Sequence, residues 1–195
     1  MVDLKSLTPD IRRLSDMKEV LYDQEWARTA EDRDLYYMYR AIEQGPEIRY
    51  DITVIPAQML GSEFTKTKGH DHVGGYQEVY TILEGEAIFF FQKDSNDDGI
   101  VEDVVAIKAK KGAFVTVPIG YAHITINPGD QDLKLANWMD KDVKSDYKPI
   151  LERKGGSYFY TTDGWIKNTN YKSVPELRFA EPEKSLPKDL SFLED

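Results

Sequence analysis

From residue 47 onward, apolar side chains occupy every second position in short runs, separated by turns of glycine, proline and polar residues. Alternation of this kind places the apolar side chains on one face of a β-strand. Strands are predicted at 47–56, at 78–92 (divided in two by a turn at 84–86), and at 101–107, 113–117, 124–127 and 133–139. A chain with many short strands and little helix is expected to form a mainly β fold, a small antiparallel barrel or sandwich.

The segments on either side of these strands have a weaker pattern. We predict a short amphipathic helix at 18–26, a second helix beginning at 29–32, and a strand rather than a helix at 35–41. The expected organisation is a single domain with three parts. These are an N-terminal segment (1–46) packed on the barrel, the barrel itself (47–140) with the functional site, and a C-terminal extension (141–195) that wraps the barrel or a partner.

The composition excludes several classes of function. The chain has 195 residues, a formal net charge of -10 and no cysteine. Negative charge disfavours nucleic acids and anionic membrane surfaces, which bind basic patches. The lack of cysteine excludes disulfides and thiolate ligands. No apolar run approaches membrane-spanning length and no apolar leader opens the sequence. We therefore expect a cytoplasmic protein without nucleic-acid or membrane partners.

All three histidines of the chain fall in one pattern with a glutamate. His70 and His72 are two residues apart, Glu78 follows, and His123 comes after a Pro-Ile-Gly turn. Residues two apart on a strand share a face, so both imidazoles of the first pair can point inward. A barrel interior can bring such side chains from three strands to one point. A single histidine on a strand is more often an ordinary surface or core residue, but the complete set is a much stronger signal.

Three imidazole nitrogens and one carboxylate suit Fe(II), Mn, Ni, Co or Zn, and we expect one divalent metal per subunit. A closed structural zinc site usually includes cysteine, so this set is more typical of a metal with open coordination positions. An open metal can polarise a carbonyl or hydroxyl oxygen and orient a substrate.

Two stretches around these residues resemble the two sequence motifs of the cupin family. The first runs from Gly69-His70-Asp71-His72 through Glu78 to Gly85, and the second from Gly112 through Pro118 and His123 to Asn127. The resemblance spans about 47–140 and implies a jelly-roll barrel, to which the sequence adds short N-terminal helices and a C-terminal extension. Cupins carry out many different reactions, so this fold does not give the function.

A narrower likeness extends to the archaeal cupin-type glucose-6-phosphate isomerases. It rests on Arg-Arg-Leu-Ser-Asp-Met at 12–17, on 37–44 with its ending Ala-Ile-Glu-Gln, and on Phe-Thr-Lys-Thr-Lys-Gly-His at 64–70. The resemblance implies an aldose–ketose isomerase that interconverts glucose 6-phosphate and fructose 6-phosphate. Iron is our first choice of metal, and a homodimer is the expected assembly.

The same resemblance implies roles for individual residues. The implied metal ligands are His70, His72, Glu78 and His123. The implied substrate contacts are Thr53, Thr67 and the backbone at Gly69 for the phosphate, with Tyr37 and Tyr80 lining the pocket and Tyr147 near a further polar position. Two residues before Tyr147 the family pattern has a histidine where this chain has Ser145. Sugar contacts from that segment are therefore not carried over.

The expected chemistry follows from these groups. Threonine hydroxyls and backbone N–H groups can hold a phosphate, and Lys66 and Lys68 would add local positive charge. Isomerisation moves a proton between adjacent carbons, and Glu78 is our candidate for the catalytic base. A hydride shift with the metal as Lewis acid is a rival mechanism.

Two other classes of protein would use the same ligands. A metal-dependent cupin dioxygenase would have an apolar pocket without phosphate donors, and a non-catalytic sugar-binding cupin often lacks one or more ligands. The threonines and lysines before Gly69, together with the complete ligand set, favour the isomerase. For the assembly, an exposed apolar strand edge at 89–91 would favour pairing between subunits.

Overall fold

The structure is a computed structural model that describes residues 3–96 and 98–194, and β-strands dominate it. Its strands are β1 (Asp10–Arg13), β2 (Asp34–Gln44), β3 (Ile48–Ile55), β4 (Met59–Leu60), β5 (Glu63–Phe64), β6 (Asp71–His72), β7 (Glu78–Glu84), β8 (Glu86–Asp94), β9 (Val101–Lys110), β10 (Phe114–Val117), β11 (Ala122–Ile126), β12 (Leu133–Asp140), β13 (Ser145–Asp146), β14 (Tyr158–Thr161), β15 (Gly164–Lys167) and β16 (Arg178–Ala180). The α-helices are α1 (Gln24–Thr29) and α2 (Lys148–Glu152), and short 3-10 helices lie at Leu4–Ser6, Leu14–Asp16, Lys18–Val20 and Ser191–Leu193. Over the described ranges, no helix has the length and apolar character needed to cross a membrane.

Two sheets build the barrel. The larger has the strand order β1-β2-β3-β12-β7-β10 and the smaller β11-β8-β9-β16. All pairings within them are antiparallel except that of β16 with β9. Val117 and Leu135 of the larger sheet and Phe89 and Phe91 of the smaller sheet belong to one buried cluster. The predicted mainly β, cupin-type antiparallel barrel is confirmed.

The apolar run at 89–91 lies in the middle of the smaller sheet. Phe89, Phe90 and Phe91 are each no more than 1% exposed, and their strand pairs with β11 on one side and β9 on the other. Phe89 and Phe91 belong to the barrel core, whereas Phe90 belongs to a second cluster. The expectation of an exposed apolar edge is wrong, because a run without alternation here reflects burial on both faces. These residues give no support for a dimer.

The C-terminal segment covers the outer face of the smaller sheet. The hairpin of β14 and β15 places Tyr158 and Trp165 against Phe90, with ring centroids 6.2 and 5.7 Å away. Further along, β16 adds to the edge of the same sheet beside β9. The extension therefore packs on its own barrel.

The N-terminal segment is less helical than predicted. The helix expected at 18–26 is replaced by a 3-10 turn at Lys18–Val20 and by α1, which Asp23 caps by accepting a hydrogen bond from Trp26 N at 2.8 Å. The second helix expected at 29–32 is wrong. The chain leaves α1 at Thr29 and enters β2 at Asp34, because the aromatic residues that follow pair with β3. The strand predicted at 35–41 is confirmed as part of β2.

Candidate metal centre and its cavity

The segment around β6 brings two of the histidines to the third. His123 N donates to His70 O at 2.9 Å, and His70 N donates to His123 O at 3.3 Å. This bridge requires the chain to pass very close to β11. Gly69 has φ +82, and a Cβ at this position would lie 2.6 Å from Ile124 Cγ1. Glycine is needed here both for its backbone conformation and for the close approach.

The four predicted ligands converge on one point. One ligand atom from each of His70, His72, Glu78 and His123 lies within 4.8 Å of the others. Glu78 Oε2 is 3.5 Å from His72 Nε2 and 3.4 Å from His123 Nε2. Glu78, His72 and His123 are buried, while His70 is half-buried and lines a cavity.

The hydrogen bonding of these side chains fits a metal. His72 Nδ1 lies 2.9 Å from the carbonyl oxygen of Tyr76, which can only accept, so Nδ1 carries a proton and Nε2 is the nitrogen left to bind a metal. His72 Nε2 and Glu78 Oε2 are both buried without a hydrogen-bond partner among the described residues. Buried polar atoms of this kind call for a water or an ion. Nitrogen and oxygen donors at these separations suit a divalent transition metal.

The charge states of His70 and Glu78 favour ligation. Burial, with His123 adding to the effect, lowers the pKa of His70 well below its ordinary value, so His70 is neutral and can bind a metal. Burial alone would raise the pKa of Glu78, but its contacts with His123 and His72 outweigh burial and hold that pKa well below the usual range. Burial alone would lower the pKa of His72, but its contact with Glu78 outweighs burial and raises that pKa, so a metal would take the place of a proton at His72. Burial raises the pKa of Tyr80 well above its ordinary value, so its hydroxyl keeps the proton.

A cavity that is partly open to solvent lies beside this cluster. Its lining includes His70, Glu78 and His123. It also includes the predicted substrate-contact residues Thr53, Thr67, Gly69, Tyr80 and Tyr147. Hydroxyl groups and backbone therefore face the same space as the candidate metal ligands.

The expectation that Tyr37 lines the cavity is wrong. The residues of β2 that line the cavity are Tyr36, Met38 and Arg40, and the Tyr37 side chain between them is not among the lining residues. Met38 lies beside Thr53 in the strand register, so alternate residues such as Tyr36 share the cavity face. Tyr37 lies beside Val54 and belongs to the opposite face. Tyr36 takes the place in the cavity wall that was expected for Tyr37.

The two lysines expected to add positive charge have different surroundings. Lys66 is 2% exposed, pairs with Glu63 and donates to the carbonyl of Val20 at 3.0 Å. It belongs to the protein interior and does not line the cavity, so the expectation is wrong for Lys66. Lys68 does line the cavity, and its Nζ lies 5.6 Å from the ring centroid of Tyr147.

Ser145 and Tyr147 both line the cavity. Ser145 is opposite His72 in the short pairing of β13 with β6. The Tyr147 hydroxyl accepts a hydrogen bond from Arg12 Nη2 at 3.4 Å. The serine leaves this wall without the ring nitrogen that the family pattern led us to expect.

Two arginines of the cavity wall were not among the residues predicted from the sequence. Arg40 on β2 and Arg49 on β3 both line the cavity, and both bind the carboxylate of Asp51. A signal was present in the sequence, since Arg49, Asp51 and Thr53 are spaced by two along one strand and must share its face.

Among solved structures, the chain is similar to oxalate decarboxylase from Lactobacillus farciminis in its formate complex, with 14% identity, a TM-score of 0.46, and coverage of 73% of this chain and 33% of that one. It is also similar to the TT1209 structure from Thermus thermophilus, with 18% identity, a TM-score of 0.42, and coverage of 71% of this chain and 93% of that one.

The relatives found by sequence have a higher identity to this chain than these solved structures. Glucose-6-phosphate isomerase from Thermococcus litoralis is 32% identical over 156 residues, which cover 77% of this chain and 79% of the relative. The enzyme of the same name from Pyrococcus horikoshii is 31% identical over 163 residues, covering 80% and 83%. The family model described as glucose-6-phosphate isomerase (GPI) matches residues 11–176, a range that contains all four candidate ligands and the whole cavity lining. The chain therefore belongs to the glucose-6-phosphate isomerase family.

Proposed function

We propose that this protein is a metal-dependent aldose–ketose isomerase that interconverts glucose 6-phosphate and fructose 6-phosphate. Family membership supports this pair of substrates. The observation that carries the proposal is the convergence of three histidines and Glu78 at the wall of a polar cavity. Function is argued from this site because the barrel itself serves many activities.

His70, His72, Glu78 and His123 would hold one divalent metal per subunit, with Fe(II) as the first choice and Mn, Ni, Co or Zn as alternatives. When bound, the metal supplies a Lewis acid that polarises substrate oxygen atoms. The protein holds the ligand set in place. The Tyr76 carbonyl orients His72, and the backbone bridge joins His70 to His123.

Glu78 is the candidate catalytic base. Conversion of the aldose to the ketose removes a proton from C2 and returns one to C1, while a proton moves from the C2 hydroxyl to the C1 oxygen. The low pKa of Glu78 keeps it ionised and able to accept a proton, but also makes it a weak base toward a C–H bond. A hydride shift from C2 to C1 is therefore a full rival, with Glu78 serving as a ligand alone. Tyr80, which keeps its proton, can donate a hydrogen bond to a substrate oxygen in either case.

The phosphate would be held between the wall of the larger sheet and the segment that leads to His70. Thr67, the backbone at Gly69 and Thr53 supply the donors, with Tyr147 nearby. Lys68 adds a positive charge in a chain of net charge -10. Several N–H and O–H donors together can bind a dianion without a large basic patch.

Location and assembly are further parts of the proposal. We propose a cytoplasmic homodimer, supported by the acidic, cysteine-free composition and by the family resemblance. Sedimentation velocity of the metal-loaded protein tests the assembly, and a single species at the 22.4 kDa mass of one chain would contradict it.

The test of the activity is an isomerase assay with fructose 6-phosphate on chelator-stripped protein, repeated after separate addition of Fe(II), Mn, Ni, Co and Zn. We expect turnover to vanish on stripping and to return with a preferred metal. Running the reaction in D₂O separates the mechanisms, because proton transfer exchanges solvent deuterium into the product and a hydride shift does not. Protein that binds metal but gives no turnover would contradict the proposal and favour an oxygenase or a sugar-binding protein.

A further inference from the structure

A pair of arginines in the cavity wall has no part in the chemistry described so far. Arg40 Nη1 and Arg49 Nε both donate to Oδ2 of Asp51, at 3.0 and 3.2 Å. Asp51 has 0% of its surface exposed. Two guanidinium groups therefore share one buried carboxylate, and the other carboxylate near Arg40, that of Asp10, is exposed to solvent.

The backbone of β2 is distorted where it meets this group. The register between β2 and β3 shifts between Tyr39 and Glu43, and Ala41 within the shift has φ +49. The distortion points Ala41 N at Asp51 Oδ1, with a hydrogen bond of 2.7 Å. Both carboxylate oxygens are thus occupied. A left-handed backbone at a non-glycine residue is unfavourable and persists where its surroundings hold it, often at functional sites.

Beyond Asp51, Arg49 Nη1 donates to the carbonyl of Lys141 at 2.9 Å, and Arg40 Nε lies 3.9 Å from Asp10 Oδ2. The two Nη2 atoms, which are the outer donors of the pair, in contrast contact weak acceptors. Arg40 Nη2 lies 3.2 Å from Met38 Sδ, and Arg49 Nη2 lies 3.2 Å from Met139 Sδ. Both methionines line the cavity. A thioether sulfur is a weak acceptor, whereas a guanidinium binds an oxyanion strongly. An oxyanion in the cavity could replace both sulfurs while the contacts with Asp51 stay in place.

The register of the larger sheet locates this pair relative to the predicted phosphate contacts. Met38 lies beside Thr53, so the outer donor of Arg40 is on the Thr53 side of the wall. Met139 lies between Arg49 and Glu78 in the register, so the outer donor of Arg49 is nearer the candidate metal ligands. Thr67 lies on the other wall, since its N–H donates to Thr125 O in β11 of the smaller sheet. An oxyanion between the two walls would meet the arginines on one side and Thr67 on the other.

We propose that Arg40 and Arg49 bind the phosphoryl group of the substrate from the β2–β3 wall, and that Asp51 is a positioning residue that holds the two guanidinium groups. The identity of the substrate rests on the proposed function. The pair makes the site selective for phosphorylated sugars, because a neutral hexose offers the guanidinium groups no negative partner. It also makes inorganic phosphate a ligand of the same site.

The variants Arg40→Met and Arg49→Met test this proposal. The control is Arg178→Met, which also removes one positive charge but lies on the distant edge strand β16. For each cavity variant we expect the KM for fructose 6-phosphate to rise about 10- to 100-fold, the loss typical of a hydrogen bond to a charged group, with kcat nearly unchanged. Binding of inorganic phosphate to the metal-loaded protein, measured by calorimetry, should weaken by a similar factor. Asp51→Asn should raise KM by a smaller factor, and Arg178→Met should match the wild type.

Wild-type phosphate affinity in both methionine variants, or a loss confined to kcat, would overturn the proposal. Phosphate calorimetry also keeps this test separate from the proposed function. A protein that never converts fructose 6-phosphate, yet loses phosphate binding when either arginine is replaced, would overturn the proposed isomerase function and support the proposed role of the two arginines. If a methionine variant does not fold, Arg40→Lys and Arg49→Lys keep the charge but lose the planar fork. Weaker phosphate binding in these lysine variants supports phosphate binding by the two arginines, and unchanged phosphate binding overturns it.

Discussion

Glu78 Oε2 lies near Nε2 of both His72 and His123 and has no hydrogen-bond partner in the described part of the chain. Glu78 is therefore a candidate both for metal ligand and for catalytic base. Glu78→Gln keeps the shape but removes the charge and one oxygen. We expect turnover of fructose 6-phosphate to fall by about 100-fold or more, as when a general base is lost. Metal content, measured on the same sample, separates the roles. Retained metal with lost turnover indicates the base, and lost metal indicates the ligand. Turnover near that of the wild type would contradict both.

The close approach at Gly69 gives a matched pair of variants. Gly69 and Gly112 have φ +82 and +86, but an added Cβ meets Ile124 Cγ1 at 2.6 Å in the first and nothing within 4 Å in the second. Gly69→Ala and Gly112→Ala should each lose about 1–2 kcal/mol of unfolding free energy from the backbone. Gly69→Ala should lose about 1–3 kcal/mol more from overpacking, because Ile124 is buried. Urea denaturation measures both, and equal losses would contradict the packing argument.

At this scale the metal cluster was predictable and the rest of the cavity was only partly so. His70 and His72 are two apart, and that spacing alone gives them a common face. The choice between Tyr36 and Tyr37 depends on how β2 pairs with β3, including the shift around Ala41. A register between strands is a long-range property that the spacing within one strand does not contain.

Among the elements, β16 is held to β9 by a contact that depends on pH. Arg178 Nε donates to Asp103 Oδ1 at 2.8 Å, and this hydrogen bond lowers the pKa of Asp103 from 3.8 to about 2. Because the folded-state pKa is below the unfolded value, the contact stabilises the folded protein above about pH 4 and is lost as the pH falls toward 2. Both side chains are partly exposed, so the contribution is about 1 kcal/mol or less.

Asp103→Asn tests this contact. Urea midpoints of the variant should lie below those of the wild type at pH 6, and the difference should shrink as the pH falls toward 2. A difference of constant size across that range would show that the charge on Asp103 does not contribute.

The longer strands were predictable and the shortest ones were not. Strands such as β3, β7 and β8 carry enough alternating or continuous apolar residues to be found, whereas β6 and β13 are two residues each. Such strands exist because of their pairing with each other, and no periodic pattern precedes them. The helix expected at 29–32 failed for a related reason, since pairing with β3 outweighed a plausible local helix start.

For the molecule as a whole, segments outside 47–140 take part in both sheets. The larger sheet gains β1 and β2 from the N-terminal side, and the smaller sheet gains β16 from the C-terminal side. The division into 1–46, 47–140 and 141–195 as parts of one folding unit stays a prediction. These contacts favour cooperative unfolding, since removing either end would expose a sheet edge.

The candidate metal site joins the two sheets, because Glu78 lies on β7 of the larger sheet and His123 on β11 of the smaller. A metal that binds only the folded protein stabilises it by mass action, by about 2.7 kcal/mol when the free metal is 100-fold above its Kd. For a chain of this size that corresponds to roughly 5–10 °C in Tm. We expect chelation at neutral pH to lower Tm by about this amount and metal to restore it. In His123→Ala, which lacks one ligand, the shift should be much smaller. An equal shift in both proteins would place the bound metal elsewhere and contradict the assignment of this site.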